Sequence, residues 1–179
     1  MASHEPLTFD QLLATCPRVA EPIRDRFAAT GLAILGTIRA DGSPRVSPIE
    51  VTSIDDRLYL GMMPGSTKCR DVERDPRCTL LTPVADKDDL AGEGKLRAVV
   101  RPLEDPDTIA AIFHAAVDGT DFDAADLAGS PVYEVLVLGA AWQHVEADAF
   151  VTRSWTAEHG ERLRTRVGST GQVEERPPD

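Results

Sequence analysis

An antiparallel β-barrel with peripheral helices is the fold class this sequence predicts, and three observations predict it. Apolar and β-branched residues come in short runs rather than in long helical stripes. Turn chemistry such as Asp41-Gly42 and Asp55-Asp56 separates those runs, which places successive strands in hairpins. Helical patterns occur singly between strands and do not alternate with them in a βαβ rhythm.

The chain opens on "LTFDQLLATCPRVAEPIRDRFAATG", which reads as two short helices within residues 7–30. Thr8 caps the first, Pro17 separates the pair and Gly31 ends the second. Leu7, Leu12, Val19, Ile23 and Phe27 supply one apolar face, with Pro22 disturbing its register. Three antiparallel strands follow near 32–40, 45–53 and 57–62. Asp41-Gly42 joins the first two, since both residues accept the positive φ of a tight hairpin. Pro48 lacks an N–H, so it marks an edge strand or bulge, or a strand whose backbone faces a ligand on one side.

Thr67–Arg74 is a two-turn helix ended by Asp75-Pro76, and Cys78–Thr82 is a fourth strand. "VADKDDLAGEGKL" is polar and glycine-bearing and reads as an exposed loop. "LRAVVRPLE" is a fifth strand. "DPDTIAAIFHAAV" is an amphipathic helix with Asp105 as cap and Pro106 at its first position, and "DFDAADLAG" adds a helical turn. "VYEVLVLGAAWQHVEA", "AFVTRSWTA" and "ERLRTRVG" complete the strands. Residues 1–168 are expected to form one domain. The tail 169–179, "STGQVEERPPD", has too few apolar residues to pack and is expected to be disordered.

A hydrophobic share of 42% and a charged share of 27% over 179 residues suit one globular domain with a proper core. The net charge of -11 argues against nucleic acid or an anionic membrane as partner. No apolar run approaches the roughly 20 residues that span a bilayer. Cys16, Cys69 and Cys78 form no CxxC and leave an odd count, which favours a reducing compartment over a disulfide scaffold. His4, Glu5 and Asp10 stand where a secretory signal needs basic and then apolar residues, so a cytoplasmic location is expected.

Chemistry concentrates in "LGMMPGSTKCRDVERDPRCTLL", residues 60–81. A helix N-terminus exposes unpaired N–H groups and carries about half a positive charge. Ser66 and Thr67 add hydroxyls there and Lys68 an ammonium, a combination suited to phosphate. Ser66 can equally be a plain N-cap and Lys68 a solvated charge.

This stretch resembles the pyridoxamine 5'-phosphate oxidase-like family, the flavin-binding split barrels. Members read Gly-Ser-Arg-Lys-Ala at the helix entrance and Asn-Pro-Arg or Asp-Pro-Arg before the next strand. Here the residues are Gly65-Ser66-Thr67-Lys68-Cys69 and Asp75-Pro76-Arg77. "ADGSPRVSPIEV" is similar to the family's approach to its second strand, and the resemblance spans roughly 25–166. The resemblance implies an antiparallel split β-barrel that forms a homodimer with the cofactor site at the interface, acting on a small molecule. It implies FMN or the 5-deazaflavin coenzyme, held along Ser47, Pro48, Ile49 and Glu50. Gly61 and Met62 would line the phosphate or ribityl channel, and Ser66, Thr67 and Lys68 would hold phosphate.

Trp155, followed by Arg162-Leu163-Arg164-Thr165-Arg166, is similar to the oxidases' closing stretch, in which Trp and the final Arg touch the flavin. By that likeness Trp155 and Arg166 join the cofactor site. Two departures stand out: the family's substrate histidine is Arg164 here, and its helix-entrance arginine is Thr67. The expected function is thus a flavin- or deazaflavin-dependent oxidoreductase. The alternative is a carrier or sensor of flavin, haem or another tetrapyrrole without turnover. Arg70, Arg74 and Arg77 are the residues available to a deazaflavin's oligoglutamate tail, or they pair with neighbouring acids on the helix. Cys69 at the helix start is open to a lowered pKa or to simple burial. No metal is expected, because His4, His114, His144 and His159 are scattered and no Cys/His spacing fits a site.

Overall fold

The computed structural model describes residues 5–84 and 91–176. Helices α1 (Phe9–Thr15) and α2 (Pro17–Thr30) precede strands β1 (Leu32–Ile38), β2 (Pro44–Glu50), β3 (Thr52–Ile54) and β4 (Arg57–Gly61). Helix α3 (Thr67–Arg74), strands β5 (Arg77–Leu81) and β6 (Glu93–Pro102), helix α4 (Pro106–Val117) and a 3-10 turn (Ala124–Leu127) follow. Strands β7 (Val132–Glu146), β8 (Ala149–Thr156), β9 (Gly160–Val167) and β10 (Val173–Arg176) close the chain.

All pairings are antiparallel, and they return on themselves. The strand path Pro44–Ile54 bends at Val51, so β2 pairs with β1 while β3 pairs with β4. β4 then pairs with β7, β7 with β6, β6 with β5, and β5 with β1. The ring encloses fully buried Leu35, Leu60, Leu80, Leu96 and Val135. This is the antiparallel barrel with peripheral helices that the residue pattern predicts, in the split form that the family resemblance implies.

The split lies along β7. A bulge at Arg97/Ala98 leaves Leu138 without an opposite number on β6, which bends β7 there. Before the bulge the other edge of β7 pairs with β4, and from Gly139 onward with β8. Between those partners Leu7 exchanges two backbone hydrogen bonds with Val137 and caps the exposed edge. α1 and α2 then pack Phe9, Leu12, Val19, Ile23 and Phe27 into the main core. α2 runs through Pro22 unbroken, so the predicted apolar face is kept.

Turn chemistry departs from expectation in detail. At Asp41-Gly42 only Gly42 takes positive φ, and the Asp41 carboxylate accepts instead from the Ser43 N–H and hydroxyl. It is Asp55 and Asp56 that both adopt left-handed backbone.

Two stretches differ in kind. Of the expected loop "VADKDDLAGEGKL", residues 85–90 lie outside the described residues, yet Glu93–Leu96 already belong to β6. Alternation explains this: Gly94 and Leu96 turn inward while Lys95 faces out, so the segment is polar on one side only. In the tail expected to be disordered, Val173–Arg176 forms β10 on the free edge of β9. Backbone ladder bonds and a turn through Gly171 hold it, so it needs no apolar core.

α4 is fastened through its middle. Ile112 is buried with Tyr59 and Val132, and Leu103, Ile109 and Phe113 pack around them. Beneath lies Glu134, 2% exposed, which pairs with Arg57 and with Arg101 at 2.5 Å. A carboxylate this deep is tolerated because two guanidinium groups face it.

Candidate functional site

The question posed by Pro48 is answered by the β1–β2 ladder. Hydrogen bonds at Arg39–Ser43 and Gly31–Val51 bracket a register without shifts. Alternation therefore turns the backbone groups of Arg45, Ser47 and Ile49 toward β1 and those of Val46, Pro48 and Glu50 away from it. Pro48 occupies a position whose N–H would have had no strand partner. Along this free edge the N–H groups of Val46 and Glu50 and the carbonyls of Val46, Pro48 and Glu50 are presented outward.

Lys68, in the first turn of α3, reaches this edge and donates its Nζ to the Pro48 carbonyl at 2.9 Å. A groove of ≈ 340 Å³ lies beside the contact, lined by Pro48, Ile49, Glu50, Gly61, Lys68 and two residues the sequence reading did not name, Leu32 and Met63. Five of the predicted site residues thus meet in one place.

The other six do not. Ser47 turns its side chain to the inner side, where its hydroxyl is buried without a partner, and its backbone faces β1. Met62 is 2% exposed in the core, because its N–H bonds Pro131 and draws it inward, while Met63 is 75% exposed at the groove. Ser66 is the N-cap of α3, its hydroxyl accepting from the Cys69 N–H at 3.4 Å. Thr67 lines a second hollow. Trp155 is buried in the core, and strand alternation places it on the face of β8 opposite to Phe150 and Thr152. Arg166 pairs with Phe150 on that other face and borders a separate hollow with Gln143, Arg164 and Val173. Trp155 and Arg166 therefore do not share a site within one chain. Cys69 is not activated either: burial pushes its thiol upward, and its Sγ lies 3.3 Å from the Glu73 carboxylate.

The second hollow, ≈ 350 Å³, runs along one face of α3 from Thr67 to Arg74 and is rich in arginine: Arg39, Arg45, Arg70 and Arg74 line it with Thr67. Its keystone is Asp71, on the buried stripe of α3 between Cys69 and Val72. The Asp71 carboxylate accepts from Arg45 Nε at 2.6 Å and from the Thr37 hydroxyl at 2.9 Å, and Arg74 stands 3.5 Å away. Arg70 folds back onto the Gly65 carbonyl at 2.9 Å. Asp41 is engaged by Ser43, so the arginines outnumber the acids that meet them and the hollow suits an anion. Arg45 and Arg39 were missed in the sequence; the legible signal was Asp71, a carboxylate on a buried helix stripe that must find partners.

The Arg45 hydrogen bond, with that of Thr37, holds the Asp71 carboxyl below its ordinary range. Such a group contributes stability that is complete above its unfolded pKa of about 3.9 and is lost as pH falls through the lower folded value. Acidification below about pH 4 should therefore loosen α3 from β1 and β2. Thermal melts against pH should fall less steeply on the acid side for Asp71→Asn than for wild type, and parallel curves would show that Asp71 does not carry this dependence.

The family profile of pyridoxamine 5'-phosphate oxidase matches residues 19–138. The chain belongs to the pyridoxamine 5'-phosphate oxidase-like family. The match takes in the groove, α3 and the arginine hollow and stops before Trp155 and Arg166. Among solved structures, a conserved hypothetical protein of Mycobacterium tuberculosis is 22% identical, with 76% of this chain and 83% of that one covered and a TM-score of 0.57. A haem binding protein of Mycobacterium smegmatis is 20% identical over 87% of this chain and 56% of its own, with a TM-score of 0.55. A general stress protein 26-related protein of Clostridium acetobutylicum, described as of the pyridoxinephosphate oxidase family, is 8% identical over 75% and 92%, with a TM-score of 0.59. At these identities the likeness is one of fold. No curated protein matches the sequence. No helix among the described residues is long and apolar enough to cross a membrane.

Proposed function

We propose that the chain is a flavin- or deazaflavin-dependent oxidoreductase acting on a small molecule. The observation that carries the reading is the Lys68–Pro48 contact, which sets a fixed ammonium at the end of an unpaired strand edge beside a groove. A planar ring with hydrogen-bonding edges suits the outward N–H and carbonyl groups of Val46 and Glu50. A phosphate suits Lys68 at the start of α3, and further anionic groups suit the arginine hollow along the helix. When bound, either cofactor supplies the hydride chemistry. The protein's part is to hold the ring along β2, to neutralise the phosphate with Lys68 and Arg45, and to exclude water. FMN needs only the phosphate contacts, whereas the oligoglutamate of a 5-deazaflavin coenzyme can also use Arg39, Arg70 and Arg74.

The reading includes a homodimer with the cofactor at the interface and a cytoplasmic location. Support for the dimer is the outer face of β1 and β2, where Leu32 and Val46 are exposed beside the groove. Burying them against a second copy would remove apolar surface and shut the ring from water. In that assembly Arg166 would serve the partner's site rather than its own.

A carrier of haem or another tetrapyrrole is the second reading, favoured by the description of the Mycobacterium smegmatis protein. Among the described groove residues, Met63 is the one side chain of a type that ligates haem iron. His114, His144 and His159 lie on α4, on β7 and in the β8–β9 turn. The purified protein's visible spectrum, followed by titration with FMN and with a deazaflavin, tests both. Saturable binding of either flavin is the expected result; a Soret band without flavin affinity would overturn the enzyme reading. Sedimentation at micromolar concentration should show a dimer, and a cofactor-loaded monomer would remove the interfacial site.

A further inference from the structure

Beside the groove lies a further cleft of ≈ 520 Å³. Its walls come from the end of α2 (Phe27, Ala28), from the bend that joins β2 to β3 (Val51, Thr52), and from Ala115 and Ala116 on α4. Leu32 and Glu50 line both the cleft and the groove, so the two spaces meet at those residues.

Three features give the cleft a chemistry. Its walls are mostly apolar and built from small residues. Gly31, where α2 ends, has left-handed backbone and open space where a Cβ would stand. On the far side α4 is anchored through Ile112, one turn before Ala115 and Ala116, and it is those two small side chains that it presents to the cleft. Glu50 is the one ionisable side chain of the lining, and it has no hydrogen-bond or ion-pair partner among the described residues. A free carboxylate at the mouth of an apolar cleft attracts a cation or a strong donor and repels an anion. The chain's net charge of -11 acts in the same direction over longer range.

We propose that this cleft is the substrate subsite and that it takes an apolar amine. The ammonium meets Glu50 at the junction with the groove, and the hydrocarbon body lies between Phe27 and the Ala115–Ala116 turn. The word substrate rests on the flavin reading above; the binding chemistry does not.

The test uses the full chain without cofactor and three isosteric probes: 2-naphthylmethylamine, 2-naphthalenemethanol and 2-naphthoate. Calorimetric titration should rank the amine above the alcohol by about 10-fold, the low end for a charged hydrogen bond, with naphthoate weakest. Glu50→Gln should bring the amine down to the affinity of the alcohol and leave the alcohol unchanged. Ala116→Phe should fill the cleft and abolish binding of both, while its melting curve and its FMN titration match wild type. Equal affinity for amine and naphthoate, or amine binding that survives Ala116→Phe, would overturn the proposal. Amine preference in a protein that binds no flavin would uphold the cleft and overturn the cofactor reading, so the two failures are distinct.

Discussion

Lys68→Met should lower affinity for a phosphorylated flavin by about 10- to 100-fold, the worth of one charge-assisted hydrogen bond of about 1.5–3 kcal/mol. The substitution keeps the length of the side chain and removes its charge. Folding should suffer far less. Lys68 is half-buried, and its bond to the Pro48 carbonyl is a single neutral-acceptor contact at the surface that costs about 1 kcal/mol when lost. The deficit should narrow at high salt, since screening weakens the wild-type contact as well. Arg24→Gln on α2, where the guanidinium pairs with Asp25, is the control and should leave affinity alone. Flavin titrations of both variants against wild type decide the matter. Unchanged affinity in Lys68→Met would mean that its ammonium merely ties α3 to β2, and that phosphate is held by the arginine hollow alone.

The residues that made this prediction possible were legible for a physical reason. Lys68 follows a proline–glycine break and a capping serine, so a helix start can be read without tertiary information. Strand alternation turns Pro48 and Glu50 to one edge of β2 once the hairpin is recognised. What could not be read is which side of an element each neighbour takes. Met62 and Met63 are identical in type and adjacent, and one backbone bond to Pro131 decides that the first is core and the second groove. Trp155 resembles a flavin contact in its spacing to Arg166, yet their separation by an odd number of positions across two strands puts them on opposite faces of the sheet. The arginine hollow escaped for a different reason. Arg39 and Arg45 come from a hairpin, Arg70 and Arg74 from a helix 25 or more residues later, and the buried Asp71 links the two elements through Arg45 and Arg74.

The same blindness applies to Gly92, which in sequence looks like any loop glycine and in the fold has no room for a side chain. Its φ is +113°, a conformation L residues rarely adopt, and a Cβ there would stand 2.4 Å from the Trp142 ring and 2.8 Å from the Gln143 carbonyl. Neither neighbour can yield easily: Trp142 is buried in the main core, and the Gln143 backbone is in the β6–β7 and β7–β8 ladders. The Gly92 carbonyl also accepts from Arg26 at 2.9 Å, tying α2 to the start of β6. Gly92→Ala should therefore combine backbone strain of about 1–3 kcal/mol with overpacking of about 1–3 kcal/mol. For a chain of this size that lowers the melting temperature by roughly 5–20 °C. Gly119→Ala is the reference without a clash, because Gly119 has φ +74°, close to the left-handed helical region, and nothing within 4 Å of a Cβ. Calorimetric melts of the two variants should differ by the overpacking together with the greater strain at φ +113°, with Gly92→Ala the less stable. If they melt together, Trp142 moves aside at no cost and the junction of α2 with β6 is looser than its packing indicates.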